Sequence, residues 1–293
     1  MWDRMSFVAA GVAWVAGMAG AAVAAPVDLT FRAAEGTELR YRSEGTNEMV
    51  QGASGMNLEL AWSSEHVAVL KVLERGAEGT RLSLRYESVK GEAKMPSGVV
   101  KVDTTAEKAA GEPAVARTAR ELVGKEITFL LTDEGVEGLR SPVTLASPEA
   151  HLLLGPLVTP EQLSEALEGL LVVTSEKDEV EPGTTWEETE TQSMEQMGTL
   201  RSVQTYKAGE PSGGVLPLEY SAEVTLENPP AGTKATVREG DVSGTIRWDV
   251  EKGVVRLLEG KSVIDIALDY QGVPVTFTVR NTSKTELVEG SGE

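Results

Sequence analysis

In the stretch KSVIDIALDY (residues 261–270), Ile264, Ile266, Leu268 and Tyr270 fall on one side and Asp265 and Asp269 on the other. Successive strand side chains point to opposite faces, so this period fits a sheet with one buried and one wet face and fits no helix. The same alternation recurs along most of the chain and constrains the fold more than any other feature. Leu39 and Tyr41 alternate with Arg40 and Arg42, and Met56, Leu58, Leu60 and Trp62 with Asn57, Glu59 and Ala61. Leu82, Leu84 and Tyr86 form a third row, and Ile127, Phe129 and Leu131 a fourth, closed by the turn Thr132-Asp133-Glu134-Gly135. Toward the C-terminus, Ile246 and Trp248 lead through Val250-Glu251-Lys252-Gly253 into Val254–Leu258. KSVIDIALDY comes next, then Gln271-Gly272 and Val273–Arg280, an antiparallel meander of three or four strands.

Helical signals are confined to the middle. Thr159-Pro160-Glu161-Gln162 reads as a capping box with proline at the first helical position, followed by Leu163, Leu167, Leu170 and Leu171 at helical spacing. Ser147-Pro148 opens a shorter helix through Leu152–Leu154, with Gly155 as its stop. Glu112-Pro113 opens a third, with Val115, Ala119 and Leu122 in register and Gly124 as its stop. The expected fold is therefore mainly β (α+β). A curved antiparallel sheet or unclosed β-barrel carries a few short helices against its concave face. Residues 25–287 are read as one β-rich domain, with halves at about 28–140 and 172–287 around the helical middle, and 288–293 as a disordered tail.

The N-terminus has another character. Arg4 precedes a run from Ser6 to Val23 without charge, rich in Ala, Val and Gly, and ending in the A-x-A pattern Ala22-Val23-Ala24. Residues 1–24 are expected to be a cleaved signal peptide, which places the protein in the periplasm or outside the cell. About 18 uncharged residues just suffice to span a bilayer, but this run is not Leu-rich and has no basic flank. No permanent membrane anchor is expected after cleavage. The chain has no cysteine, which removes lipid attachment at cysteine, disulfides, thiol catalysis and Cys-ligated zinc. Its 46 acidic residues against 27 basic ones give a net charge of −19, which repels nucleic acid; no nucleic-acid partner is expected.

Candidate chemistry is sparse. Asp265 and Asp269 lie about 13 Å apart along a strand, beyond the roughly 5–9.5 Å of paired glycosidase carboxylates. They read as a solvated face. Glu188 and Glu190, about 6.6 Å apart on one face, are the better-spaced pair and would serve a carboxylate-dependent hydrolase. His66 and His151 are the only histidines and occupy unlike contexts, so neither a triad nor a histidine metal site is expected. No phosphate-binding, nucleophile-elbow or calcium-loop motif is present, and no cofactor or metal is expected. Asn281-Thr282-Ser283 matches a glycosylation triplet that carries little weight. Met49, Met56, Met95, Met194 and Met197 suit an adaptable apolar groove or plain core filling.

Three blocks carry a resemblance. LVGKEITFLLTDEGVEGLR (122–140) joins a hydrophobic strand to a polar turn and Gly-Val. VEPGTTWEET (180–189) leads Pro-Gly-x-x-Trp into a strand, and GTIRWDVEKGVVRLLEG (244–260) forms a hairpin around Asp and Gly. In this order, with the Met-containing strands at 38–62, they resemble a family of uncharacterised secreted bacterial β-rich proteins, a domain of unknown function. The third block also resembles the strands of periplasmic lipoprotein carriers. That likeness implies an unclosed barrel, capped by helices, that holds acyl chains. Neither resemblance supplies catalytic residues.

The function expected is that of a non-enzymatic exported envelope protein holding an apolar ligand in a β-groove. Leu58, Leu60, Trp62, Leu163, Leu167, Trp248, Ile264 and Ile266 are the groove candidates. The alternatives are an envelope scaffold with a sealed core and the carboxylate hydrolase. The expected partners are accordingly an apolar ligand or an envelope protein.

Overall fold

The alternating pattern is realised in strands far longer than usual. A computed structural model describes residues 25–53, 55–172, 179–194, 198–229, 233–270 and 272–288. The segment expected to be a signal peptide, the tail beyond residue 288, Met197 and the side chain of Met194 lie outside the described residues. The first half contains β1 (Val27–Asp28), β2 (Glu38–Ala53), β3 (Met56–Gly76), β4 (Gly79–Met95) and β5 (Gly98–Asp103). Helix α1 (Ala114–Leu122), β6 (Glu126–Thr132), β7 (Gly135–Glu137), α2 (Pro148–Val158) and α3 (Pro160–Leu171) follow. The second half contains β8 (Glu179–Val180), β9 (Thr185–Met194), β10 (Gly198–Ala208), β11 (Val215–Glu227), β12 (Thr233–Asp249), β13 (Val254–Tyr270) and β14 (Val273–Leu287). At about 3.3 Å per residue, the 21 residues of β3 extend roughly 70 Å.

Twelve strands form one antiparallel sheet in the order β7-β6-β4-β3-β2-β14-β13-β12-β11-β10-β9, with β5 beside the far part of β4. The pairing of β14 with β2 joins the two halves. The end strands β7 and β9 do not pair with each other, so the curved sheet is not closed into a barrel. This is the mainly β, unclosed architecture that the sequence implies. Edge strand β9 carries Glu187, Glu188 and Glu190, charges that discourage addition of another strand.

Paired residues of antiparallel strands share a face, so the register sorts the whole sheet into a core face and an outer face. Two buried clusters lie on the core face, at the same end of the strands. The larger joins Leu70, Leu82, Leu84, Tyr86 and Phe129 to Leu122 of α1, Leu154 of α2 and Leu167 of α3. The smaller joins Trp186, Tyr206, Leu216, Leu218, Ile246 and Trp248. Leu170 packs against both. So does the N-terminal strap: Val27 and Leu29 enter the smaller cluster, Phe31 and Ala33 the larger. Trp248 Nε1 donates to the Asp28 carbonyl at 3.0 Å, and the Arg75 guanidinium lies 5.6 Å from the Phe31 ring centre while donating to the Phe31 and Ala33 carbonyls.

The structure corrects three local readings. Val254–Leu258 and KSVIDIALDY form one strand of 17 residues, uninterrupted at Gly260. Helix α2 runs past Gly155 and through Pro156, because Leu153, Leu154, Leu157 and Val158 are all buried and packing outweighs local propensity. The Thr159 side chain makes no capping hydrogen bond. It stands between two helices as C-cap of α2 and N-cap of α3, and the Gln162 amide lies over Gly155 instead. Helix α1, by contrast, follows its sequence signals, with Val115, Ala119 and Leu122 buried and Gly124 at φ +80° beyond its end.

Candidate functional site: an open apolar sheet face

One row of paired residues divides the core face. It crosses ten strands as Val102, Gly91, Ser64, Gly45, Ser283, Gly260, Gly244, Tyr220, Tyr206 and Trp186. Six consecutive strands thus present only glycine or serine. Where Gly244 and Gly260 lie side by side, a Cβ on either would collide with the Tyr220 ring or hydroxyl, so these glycines leave room for the aromatic residue of the neighbouring strand. Trp186 stacks on Tyr206 at 5.2 Å between ring centres, and Tyr206 contacts Tyr220 at 5.9 Å. Except for Ala93 of the larger cluster, and Val102, Tyr206 and Trp186 in the row itself, both buried clusters lie on one side of this row.

On the other side the strands continue with apolar residues facing the same way. Ile264 pairs with Val279, Val279 with Met49, and Met49 with Leu60. The next row is Ile266, Phe277, Gln51 and Leu58, and the one after it Leu268, Val275, Ala53 and Met56. Val237 extends the middle row onto β12. None of these residues belongs to either buried cluster. Leu58 is 39% and Met56 73% exposed; Ile266, at the centre, is 5% exposed.

The groove candidates from the sequence therefore divide into three places. Leu163 and Leu167 are sealed in the larger cluster and Trp248 in the smaller. Trp62, opposite Asn47 on the far side of the small-residue row, packs on the margin of the larger cluster. Leu58, Leu60, Ile264 and Ile266 share the open face. The structure does not bring α3 over that face, so no groove forms between the helix and these four residues. Met49, which the sequence offered as a groove or core-filling methionine, is their neighbour on the open face, and sequence reading missed Val275, Phe277 and Val279 there. The signal for the last three was the alternation in VPVTFTV, which continues the pattern of the preceding strand.

The titratable groups on the core face serve packing. Trp186 Nε1 donates to Glu188 Oε1 at 3.1 Å, Gln204 Nε2 to Glu190 Oε2 at 3.2 Å, and the Tyr206 hydroxyl to Gln204 Oε1 at 2.7 Å. Burial, then the charges of Glu188 and Glu190, push the Tyr206 hydroxyl above its ordinary pKa. His66 lies edge-on to Tyr86 at 5.5 Å, with Nδ1 enclosed and without a hydrogen-bond partner. Burial lowers its pKa to about 4. His151 is exposed on α2, its Nδ1 2.9 Å from the Ser147 carbonyl. The Asn281 amide donates to Asn47 at 2.9 Å. On the outer face, Asp265 has one enclosed oxygen without a partner, whereas Asp269 accepts from the Gly272 backbone at 2.8 Å in the β13–β14 turn.

Two cavities lie against the outer face beside the small-residue row. The first, about 610 Å³, is lined by Lys90, Lys101 and Lys284 facing Glu44, Glu65 and Asp103. The second, about 450 Å³, is lined by Glu219, Glu259, Lys261 and Thr245. Charge in the first is already compensated: Lys101 binds Glu92 at 2.8 Å and Lys284 binds Glu286 at 2.9 Å. Among the described residues no group of three or more His, Asp or Glu is placed to hold a metal ion. No helix among them is long and apolar enough to cross a membrane.

No family model matches the chain, and no curated protein matches it. Among solved structures it is similar to DynF from the dynemicin biosynthesis pathway of Micromonospora chersina at 10% identity and a TM-score of 0.22, over 92% of this chain and 88% of that one. An outer membrane channel from Pseudomonas putida F1 is similar at 6% identity and a TM-score of 0.19, over 88% of this chain and 98% of that one. The translocator domain of the autotransporter NalP from Neisseria meningitidis follows at 8% and 0.18, over 85% and 88%. Scores at this level carry no argument about fold or function.

Proposed function

We propose that the protein is a non-enzymatic, exported binder of an apolar ligand, held on the open part of the core face. One observation carries this reading. Beyond the small-residue row, Leu60, Ile264, Ile266, Phe277 and Val279 continue the apolar face without joining either buried cluster. Apolar surface left in water forfeits about 25 cal/mol per Å², so an acyl chain laid across these strands would gain by covering it. The opposite face is charged and hydrated, which orients the ligand to one side. The uncharged run ending at Ala24 supports export.

The test is equilibrium titration of the folded protein with a fluorescent fatty-acid analogue. Saturable binding is expected, weakened at least tenfold by Phe277→Glu or Leu60→Glu with unchanged circular dichroism. Absence of saturable binding to the delipidated protein would instead favour an envelope scaffold.

A further inference from the structure

The exposed apolar side chains are not scattered. Among the described residues the large exposed ones are Met56, Leu58, Val99 and Val273. Met56 and Leu58 follow the β2–β3 turn, Val99 the β4–β5 turn and Val273 the β13–β14 turn. All three turns lie at the same end of the sheet; the β2–β3 and β13–β14 turns are remote from the buried clusters, whereas the β4–β5 turn begins two residues beyond buried Ala93 of the larger one. The sequence marks them too: 49–58, 95–100 and 272–279 contain no charged residue, although charged residues make up 25% of the chain. The tips step outward in order. Met95 stands level with Leu60, about 13 Å short of Met56 along the strand, and the β13–β14 turn extends roughly 7 Å farther still. Strands tilted against a plane present such a stagger.

We propose that these three hairpin tips dock the protein on a lipid bilayer with zwitterionic headgroups. It rests on the apolar-ligand reading for its purpose, since the open face runs directly into the Met56 and Val273 tips and a ligand leaving the bilayer would meet it there. Charge argues for such a surface: a chain of net charge −19 is repelled by anionic lipid, while the three turns carry few charges, Asp269 in the β13–β14 turn and Lys94 beside Val99. Area argues against a protein partner. Four exposed side chains on separate convex tips offer far less than the roughly 800 Å² per partner of a stable protein interface. A fluid surface accommodates separate tips without a matching pocket.

The absence of cysteine allows a direct test in the full chain. A polarity-sensitive dye on Met56→Cys should shift to the blue when phosphatidylcholine vesicles are added, and the same dye on Lys207→Cys, exposed on the outer face of β10, should not. Cosedimentation with these vesicles should persist in 1 M salt and fall at least fivefold in Met56→Asp/Val273→Asp, whose circular dichroism stays unchanged. Residues 1–24 are common to both proteins and cancel in the comparison. No shift at position 56, or equal cosedimentation of the double variant, overturns docking. So does a dimer that the double variant dissociates without any vesicle binding, which assigns the tips to a second copy. Fatty-acid titration without vesicles separates the two readings. Binding of the analogue without vesicle docking overturns only the present inference, and docking without analogue binding supports it while overturning the ligand reading.

Discussion

Asp249 accepts four hydrogen bonds while 1% exposed: from the Glu251 and Lys252 backbone at one oxygen and from Arg256 Nε and Nη2 at the other. Gly253, at φ +63°, completes the turn, and a Cβ there would collide with Arg32 of the strap. The sequence showed this hairpin as a motif without a reason; the reason is structural. Asp249→Ala should cost on the order of 2–4 kcal/mol in urea denaturation, and a loss below 0.5 kcal/mol would deny the turn this role. Burial raises the Asp249 pKa, but the Lys252 and Glu251 N–H groups and Arg256 more than offset it and hold it below 3.8. Its contribution is therefore complete above the unfolded value and lost as pH falls through the lower folded one. His66 acts over a higher window. Its folded pKa of about 4 lies below the ordinary 6.5, so the unfolded chain takes up the proton first. Stability should fall by on the order of 2 kcal/mol between pH 6.5 and 4. His66→Phe should flatten that slope in denaturation series at pH 7, 5.5 and 4.5; an unaltered slope would contradict the assignment. Trp248 shows what residue patterns miss. Its alternation with Arg247 and Asp249 revealed a core-facing side chain, but the covering strap is too short and irregular to leave a periodic signal.

At the scale of elements, alternation located the long strands, and helix α1 lies where its register and Gly124 placed it. Glycine and proline read as punctuation misled where distant packing overrode them. Gly260 continues β13 because Tyr220 of β11 occupies the space a side chain would take, and that partner lies 40 positions away in the chain. Gly155 and Pro156 stay helical because α2 buries four apolar residues around them. The open face was legible in part: alternation identified Leu58, Leu60, Ile264 and Ile266 as one surface but could not show that α3 seals elsewhere. This division predicts a contrast between elements. Leu167→Ala, in the larger cluster, should cost about 2–5 kcal/mol, and Leu58→Ala, 39% exposed, under about 1 kcal/mol. Comparable losses in thermal denaturation would mean that the far face is packed after all.

For the whole molecule, both clusters, the helices and the strap stabilise the same end of strands that extend well beyond them. Protection should therefore be uneven along single strands. In β3, amide hydrogen exchange at residues 56–60 should be faster than at 66–72, because opening the far part exposes little buried surface. The central claim is that this far part is where an apolar ligand lies, and hydrogen exchange with and without a saturating fatty acid tests it most directly. Protection should rise at 49–53, 56–60, 264–268 and 275–279, with no comparable change at 66–72 or 246–250. Unchanged exchange in those four segments, or a change confined to strands flanking the Lys90–Lys101 cavity, would contradict the account.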